Sequence, residues 1–138
     1  MITDIYKQVI ELVLPKEIVS YFELVKVEMR PIPKDQHLGV ETGELLFYLD
    51  EKDEYRGKAA GHKYRPNGYY EPSRIRDFPL RDKRVTLVIR RRRWMDEVTG
   101  ESVSNQYSLT ADGTRHSVEF AAFLKECFGQ IPDISLFA

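Results

Sequence analysis

The sequence predicts an α+β domain with a small, mostly antiparallel sheet, a short N-terminal helix and a packed C-terminal helix. Apolar residues recur at helical spacing near both ends of the chain. Between them lie short runs rich in β-branched and aromatic residues, bounded by Gly and Pro, which are typical of strands. A chain of 138 residues with 42% hydrophobic content is expected to form one domain, 1–138, or one piece of a larger protein, and it is long enough to bury a core of its own.

The predicted helices follow from the spacing of apolar residues and from residues that start or stop a helix. Ile5, Val9 and Leu12 lie on one helical face near the N-terminus. Pro15 opens a second helical turn, because a proline there loses no hydrogen bond, and Gly129 stops the last helix. The predicted helices are 3–13, 16–21 and 117–128.

The predicted strands surround one long connection. The region 50–67 is polar, charged and contains glycine, which predicts a long flexible loop. The segment 83–94 is the strongest strand, and Asp96–Gly100 is a good turn, so 103–109 is expected to return as its hairpin partner. The predicted strands are 22–29, 45–49, 75–78, 83–94 and 103–109.

Charge is concentrated in one segment of the chain, although the net charge is only −1. The segment 74–93 holds nine basic and two acidic residues, a net charge of +7, whereas the flanking parts carry −3 and −5. Four consecutive arginines, 90–93, close the apolar run 85–89. Such a run favours neutralisation by a polyanion or by a carboxylate-rich surface.

Alternation along a strand divides the four arginines into two pairs. Arg90 and Arg92 are expected on one face, and Arg91 and Arg93 on the other. One pair is then available for phosphates, while the other extends along the surface or pairs with the acidic segments. The alternative is a solvated edge strand, whose charges guard against aggregation.

The basic segment supplies the candidate nucleic-acid ligands, and neighbouring aromatic residues supply candidate stacking surfaces. Tyr69 and Tyr70 are the candidates for base stacking, whereas Trp94, at the end of the basic strand, is expected in the core. The candidate nucleic-acid-binding residues are Arg74, Arg76, Arg81, Lys83, Arg84, Arg90, Arg91, Arg92 and Arg93.

The sequence offers no pattern for catalysis. The carboxylates at 50, 51, 53 and 54 crowd one predicted loop and are expected to form a solvated turn. Cys127 lies on the apolar face of the last helix and is expected to be a buried small hydrophobe, and the three histidines are expected at the surface or in loops. We therefore expect neither an enzyme nor a metal or cofactor site.

The cellular context is expected to be cytoplasmic. A single cysteine excludes an internal disulfide, and the N-terminus lacks the basic and apolar regions of a secretory signal. No stretch approaches the length that spans a bilayer, so no membrane partner is expected.

Several motifs together resemble a known family. The motifs are Asp4–Lys7, Leu14-Pro15, Tyr21-Phe22, Gly68–Pro72, Ile75–Arg81, Val85–Trp94, Gly100, Gly113–Arg115 and Glu119–Glu126. They are similar to the separately encoded N-terminal-region proteins of bacterial insertion-sequence transposases, the Aon-type group, over nearly the whole chain. The resemblance implies a non-catalytic protein that binds transposon-end DNA and assists a separate catalytic chain.

A more distant resemblance, over 77–93, is to the zinc-bearing N-terminal part of a larger transposase family. The zinc ligands of that family are missing, because one cysteine and three histidines at these spacings cannot supply four tetrahedral ligands. Two alternatives to DNA binding stay open. One is an interaction or dimerisation module whose basic hairpin meets an acidic surface, and the other is the folded remnant of a degraded mobile element.

Overall fold

The computed structural model describes residues 2–36, 41–110 and 116–128, and it confirms the α+β class. The helices are α1 (Ile2–Glu11), α2 (Lys16–Tyr21) and α3 (Val118–Phe128). The strands are β1 (Phe22–Pro31), β2 (Gly43–Glu51), β3 (Tyr64–Tyr69), β4 (Ser73–Leu80), β5 (Lys83–Arg90), β6 (Arg92–Asp96) and β7 (Ser102–Val103). None of the helices in these ranges is long and apolar enough to cross a membrane.

The strands form two sheets rather than one. A four-stranded sheet has the order β1-β2-β5-β4, and a three-stranded sheet has the order β3-β6-β7. All pairings are antiparallel except β2 with β5. Because β5 and β6 are consecutive in the chain, the basic segment runs from the centre of the larger sheet into the centre of the smaller one.

Leu46 and Val88 are buried on one face of the four-stranded sheet, and the main hydrophobic cluster lies on the other face. Val85, Leu87 and Ile89 alternate along β5 toward this face, where α2 adds Ile18. The burial of these side chains supplies the main hydrophobic stabilisation of the fold. The buried members of the core are Leu14, Ile18, Phe22, Phe47, Leu49, Ile75, Val85, Leu87 and Ile89.

The C-terminal helix begins where the sequence predicts it and is capped by a side chain. Ser117 Oγ accepts a hydrogen bond from the Phe120 amide (3.2 Å) and donates one to Asp77 Oδ1 (2.8 Å). This second bond fixes α3 against β4. The expectation for Cys127 was wrong, because its side chain is exposed. The predicted stop at Gly129 lies outside the described residues.

Three predicted segments differ most from the structure. The loop predicted for 50–67 is shortened to 52–63, because β2 continues through Glu51 and β3 begins at Tyr64. The strand predicted for 83–94 is interrupted at Arg91, where the chain changes sheets. The predicted hairpin does form, but its return strand is only Ser102–Val103.

Candidate nucleic-acid interface

The arginine run lies at the junction of the two sheets, and its side chains alternate as predicted. β5 ends at Arg90, β6 begins at Arg92, and Arg91 joins them. Arg90 and Arg92 contact the ring of Tyr69, with guanidinium-to-centroid distances of 3.8 and 4.9 Å. Arg91 and Arg93 contact the ring of Tyr70 instead. The two pairs therefore have different surroundings.

The pair on the Tyr69 side is bonded within the fold, Arg90 to a carboxylate and Arg92 to a backbone carbonyl. Arg90 forms a bidentate ion pair with Asp50, with Nε–Oδ1 and Nη2–Oδ2 distances of 2.9 and 2.6 Å. The parallel pairing of β2 with β5 sets Asp50 directly beside Arg90. The hydrogen bond to Asp50 raises the pKa of Arg90 further above its ordinary value. Arg92 Nε donates to the carbonyl oxygen of Glu51 (2.7 Å).

The other pair has no carboxylate partner in the described part of the chain. Arg91 and Arg93 lie 5.1 and 5.5 Å from the ring centroid of Tyr70, and neither forms an ion pair with a described residue. The Tyr70 amide donates to the Arg91 carbonyl (2.8 Å), which fixes the ring beside the two arginines. Cation–π contact orients a guanidinium without cancelling its charge.

Arg74 extends this unpaired group. Its side chain is exposed and forms no ion pair with a described residue. Arg74 and Arg91 line the same open pocket of about 260 Å³, together with Tyr107 and Leu109. We call Arg74, Arg91, Arg93 and Tyr70 the basic cluster.

Four further candidates lie outside the basic cluster. Arg81 is exposed in the two-residue turn between β4 and β5, with a φ of 58°, about 25 Å of strand away from Arg91. Lys83 pairs with Asp82 (2.9 Å). Arg84 Nε lies 3.7 Å from Glu44 Oε2. Burial, followed by the neighbouring Arg84 charge, lowers the pKa of Arg76.

A buried carboxylate behind the arginines was missed by sequence reasoning. Glu51 is only 1% exposed, so the expectation of a solvated turn was wrong at this position. Its Oε1 accepts the Arg92 amide (2.9 Å), and its Oε2 accepts Asn105 Nδ2 (2.6 Å) and the Tyr107 hydroxyl (2.5 Å). Burial, followed by the hydrogen bond to Glu51, raises the pKa of Tyr107 to about 12.

Hydrogen bonds of Glu51 and Asn105, the Glu51 network, connect the end of β2, the loop 52–63 and the segment 105–107 to the start of β6. Asn105 also donates to the carbonyl of Glu54 (2.8 Å) and accepts the Arg56 amide (2.9 Å), which fixes the loop 52–63. The Arg56 guanidinium lies 4.0 Å from the ring centroid of Tyr21 and 5.1 Å from that of Tyr107. Phe47, Leu49 and Glu51 are buried at alternate positions of β2. This alternation was the sequence signal for the burial of Glu51.

Two of the three histidines contact other side chains of the fold. His62 Nδ1 lies 2.7 Å from Asp96 Oδ2, and Asp96 Oδ1 accepts the amides of Val98 and Thr99 in the β6–β7 turn. His116 lies just before α3, outside the named helices and strands, and it is buried against the Phe120 ring rather than exposed at the surface. His37 lies outside the described residues.

Comparison with known proteins adds no relative: neither a family model, nor a curated protein, nor a solved structure matches this chain.

Proposed function

We propose that this chain is the non-catalytic N-terminal region of an insertion-sequence transposase. In this proposal it acts in the bacterial cytoplasm, binds transposon-end DNA and assists a separately encoded catalytic chain. The motif resemblance over nearly the whole sequence suggests the transposase context. The observation that carries DNA binding is the division of the arginine run. Arg90 is paired with Asp50 and Arg92 Nε donates to the Glu51 carbonyl, while the side chains of Arg91 and Arg93 form no ion pair or hydrogen bond with a described residue.

The basic cluster suits phosphate contacts better than base recognition. Guanidinium groups bind phosphate oxygens through charge-assisted, bidentate hydrogen bonds. Phosphate contacts position a protein on the duplex but carry little sequence information. Tyr69 and Tyr70 each contact two guanidinium groups. We therefore assign them the role of holding arginines in place, rather than the base stacking considered from the sequence.

The test is DNA binding as a function of salt concentration. If Arg74, Arg91 and Arg93 each neutralise one phosphate, log K falls against log salt with a slope of about −2.7. Affinity for a fluorescent duplex then drops about 40-fold between about 50 and 200 mM salt. In the double variant Arg91→Gln/Arg93→Gln, one contact is left, so the slope falls to about −1 and the drop to about fourfold.

The matched control removes two positive charges elsewhere. Lys16 and Lys58 are exposed, so Lys16→Gln/Lys58→Gln changes the net charge equally and is expected to keep the wild-type slope. Circular dichroism verifies that each variant is folded. Wild-type protein that does not bind DNA at low salt, or an arginine variant with the wild-type slope, would contradict the proposal. Binding of polyglutamate in place of DNA would identify an acidic protein partner instead.

A further inference from the structure

The first strand is an exposed edge of the larger sheet. β1 pairs with β2 on one side and has no neighbour on its other side among the described strands. Three apolar side chains of this strand remain in solvent: Val25 is 54% exposed, Val27 42% and Met29 64%. Exposed strand edges with apolar side chains readily pair with another strand.

The first helix continues this apolar surface. Ile5, Val9 and Leu12 form the helical stripe that the sequence predicts, yet all three are exposed, Leu12 to 83%. Tyr6 of α1 and Val25 of β1 line one open groove of about 210 Å³, which joins the helix to the strand edge. Soluble monomers rarely leave a large contiguous apolar surface uncovered, so a macromolecular partner is expected here.

The sequence of β1 identifies a second copy of this chain as the partner, because the strand is complementary to itself. With two copies antiparallel and Val27 opposite Val27 of the partner subunit, Lys26 faces Glu28 of the partner subunit. In the same register Val25 faces Met29 of the partner subunit. Opposite charges and apolar residues that face each other both stabilise antiparallel strands.

A slip by one residue destroys this match. Lys26 would then face Val27 or Met29 of the partner subunit, and Glu28 would face Val25 or Val27 of the partner subunit. Within one chain Lys26 and Glu28 lie on the same face of β1, 3.5 Å apart, so two copies place these four charges in an alternating square. The β-bulge after Leu24 and the proline at position 31 limit the pairing to the segment between them.

We propose that the chain forms a homodimer in which the two β1 strands pair antiparallel about Val27, with the exposed stripes of α1 beside them. The four-stranded sheet then continues into that of the partner subunit. The basic cluster lies at the ends of β4 and β5, away from this edge, so the dimer leaves it accessible. This proposal does not depend on the DNA-binding proposal.

The first experiment measures molecular mass in solution by light scattering, without DNA. The wild-type chain is expected at twice its 16.2 kDa mass at micromolar concentrations. Val27→Asp is expected to be monomeric, because it places two carboxylates opposite each other at the centre. Val98→Asp, at an exposed apolar position in the β6–β7 turn, is the matched control and stays dimeric. A monomeric wild type, or a dimeric Val27→Asp, overturns the proposal.

Charge reversal tests the register itself. Lys26→Glu and Glu28→Lys are each expected to dissociate at least tenfold more readily than the wild type, because each places like charges opposite one another. Mixed in equal amounts, the two variants are expected to form a heterodimer, since every cross-strand contact then joins opposite charges. Failure of the mixture to associate, while both variants remain folded by circular dichroism, rejects the register about Val27.

Discussion

The two sheets are stabilised by different interactions, although the strand β5–β6 passes through both. The four-stranded sheet packs nine buried apolar side chains on one face. In the three strands of the smaller sheet, Trp94 is the one buried apolar side chain. The Arg92 amide at the start of β6 donates to the buried Glu51, which also accepts Asn105 Nδ2, and Asp96 is buried at the end of β6. The larger sheet is therefore stabilised mainly by hydrophobic burial, and the smaller one by directional hydrogen bonds.

This difference explains how four consecutive arginines fit into the middle of a domain. The apolar part of the strand ends at Ile89, before the first arginine, and the chain changes sheets at Arg91. Beyond that point, carboxylates, carbonyl groups and tyrosine rings replace the apolar core as neighbours. The arginines are tolerated because polar groups replace apolar side chains as neighbours where the chain leaves the larger sheet.

The largest expected effect tests the apolar side of the comparison. Leu87 is fully buried at the centre of the larger sheet, so Leu87→Ala is expected to lower the free energy of unfolding by about 4 kcal/mol, through lost burial and the cavity left behind. Urea denaturation followed by circular dichroism measures it. Val98→Ala, at an exposed position, is expected within about 0.5 kcal/mol of the wild type. A loss below about 2 kcal/mol for Leu87→Ala would contradict a core centred on β5.

The next effect tests the polar side. Glu51→Leu leaves Asn105 Nδ2, the Tyr107 hydroxyl and the Arg92 amide without their common acceptor. The expected loss is about 3 kcal/mol, the cost of leaving buried donors unsatisfied. Glu54→Leu is the control, because the Glu54 side chain is exposed. Equal stability of the two variants in urea denaturation would show that the Glu51 network is not a major source of stability.

These two positions also illustrate what the sequence can predict. The burial of Leu87 follows from a local pattern, an apolar run with strand propensity. The burial of Glu51 depends on Asn105 and Tyr107, which are more than 50 residues away in the chain. A charged residue within an acidic run is usually solvated, so the local rule gave the wrong answer.

The arginines also show that local patterns can be predicted from the sequence, whereas contacts between distant residues cannot. Alternation along a strand predicts which of them share a face, and the structure confirms it. Which arginine finds a carboxylate depends on the parallel pairing that brings Asp50 beside Arg90. A parallel pair joins strands that are distant in sequence, so no local signal predicts it. The sheet change at Arg91 was missed for the same reason.

A smaller effect is expected from a hydrogen bond on the face of the larger sheet opposite the main hydrophobic cluster. Thr86 Oγ1 donates to Glu44 Oε2 at 2.7 Å. Thr86→Val keeps the shape of the side chain and removes this bond, so the expected loss is about 1 kcal/mol. Urea denaturation of Thr86→Val and Leu87→Ala under the same conditions measures the loss of stability in each variant. A loss as large as that of Leu87→Ala would show that polar interactions also dominate the larger sheet.

The last prediction concerns two aspartates whose pKa values shift in opposite directions. Burial raises the pKa of Asp77, which packs between the larger sheet and α3. The hydrogen bond to His62 lowers the pKa of Asp96 in the smaller sheet. The unfolded value is about 3.9 for both. The contribution of Asp77 is therefore lost as pH rises through its folded pKa, and that of Asp96 is lost as pH falls through its own.

At pH 7 we accordingly expect Asp77→Asn to be at least as stable as the wild type, and Asp96→Asn to be less stable. The difference for Asp77→Asn should shrink as the pH falls toward the unfolded value of about 3.9, and that for Asp96→Asn should shrink as the pH falls below it. Urea midpoints between about pH 3 and 7 measure them. A destabilised Asp77→Asn at pH 7 would mean that the charge of Asp77 is favourable in the fold.

The position of Trp94 gives the protein an intrinsic optical probe. It is the one tryptophan in the sequence, it is buried in β6, and its ring centroid lies 5.5 Å from that of Tyr55. Its fluorescence therefore reports on the smaller sheet alone, whereas the far-ultraviolet signal sums over both sheets. A red shift of the emission at lower urea than the loss of ellipticity would reveal that the smaller sheet opens first.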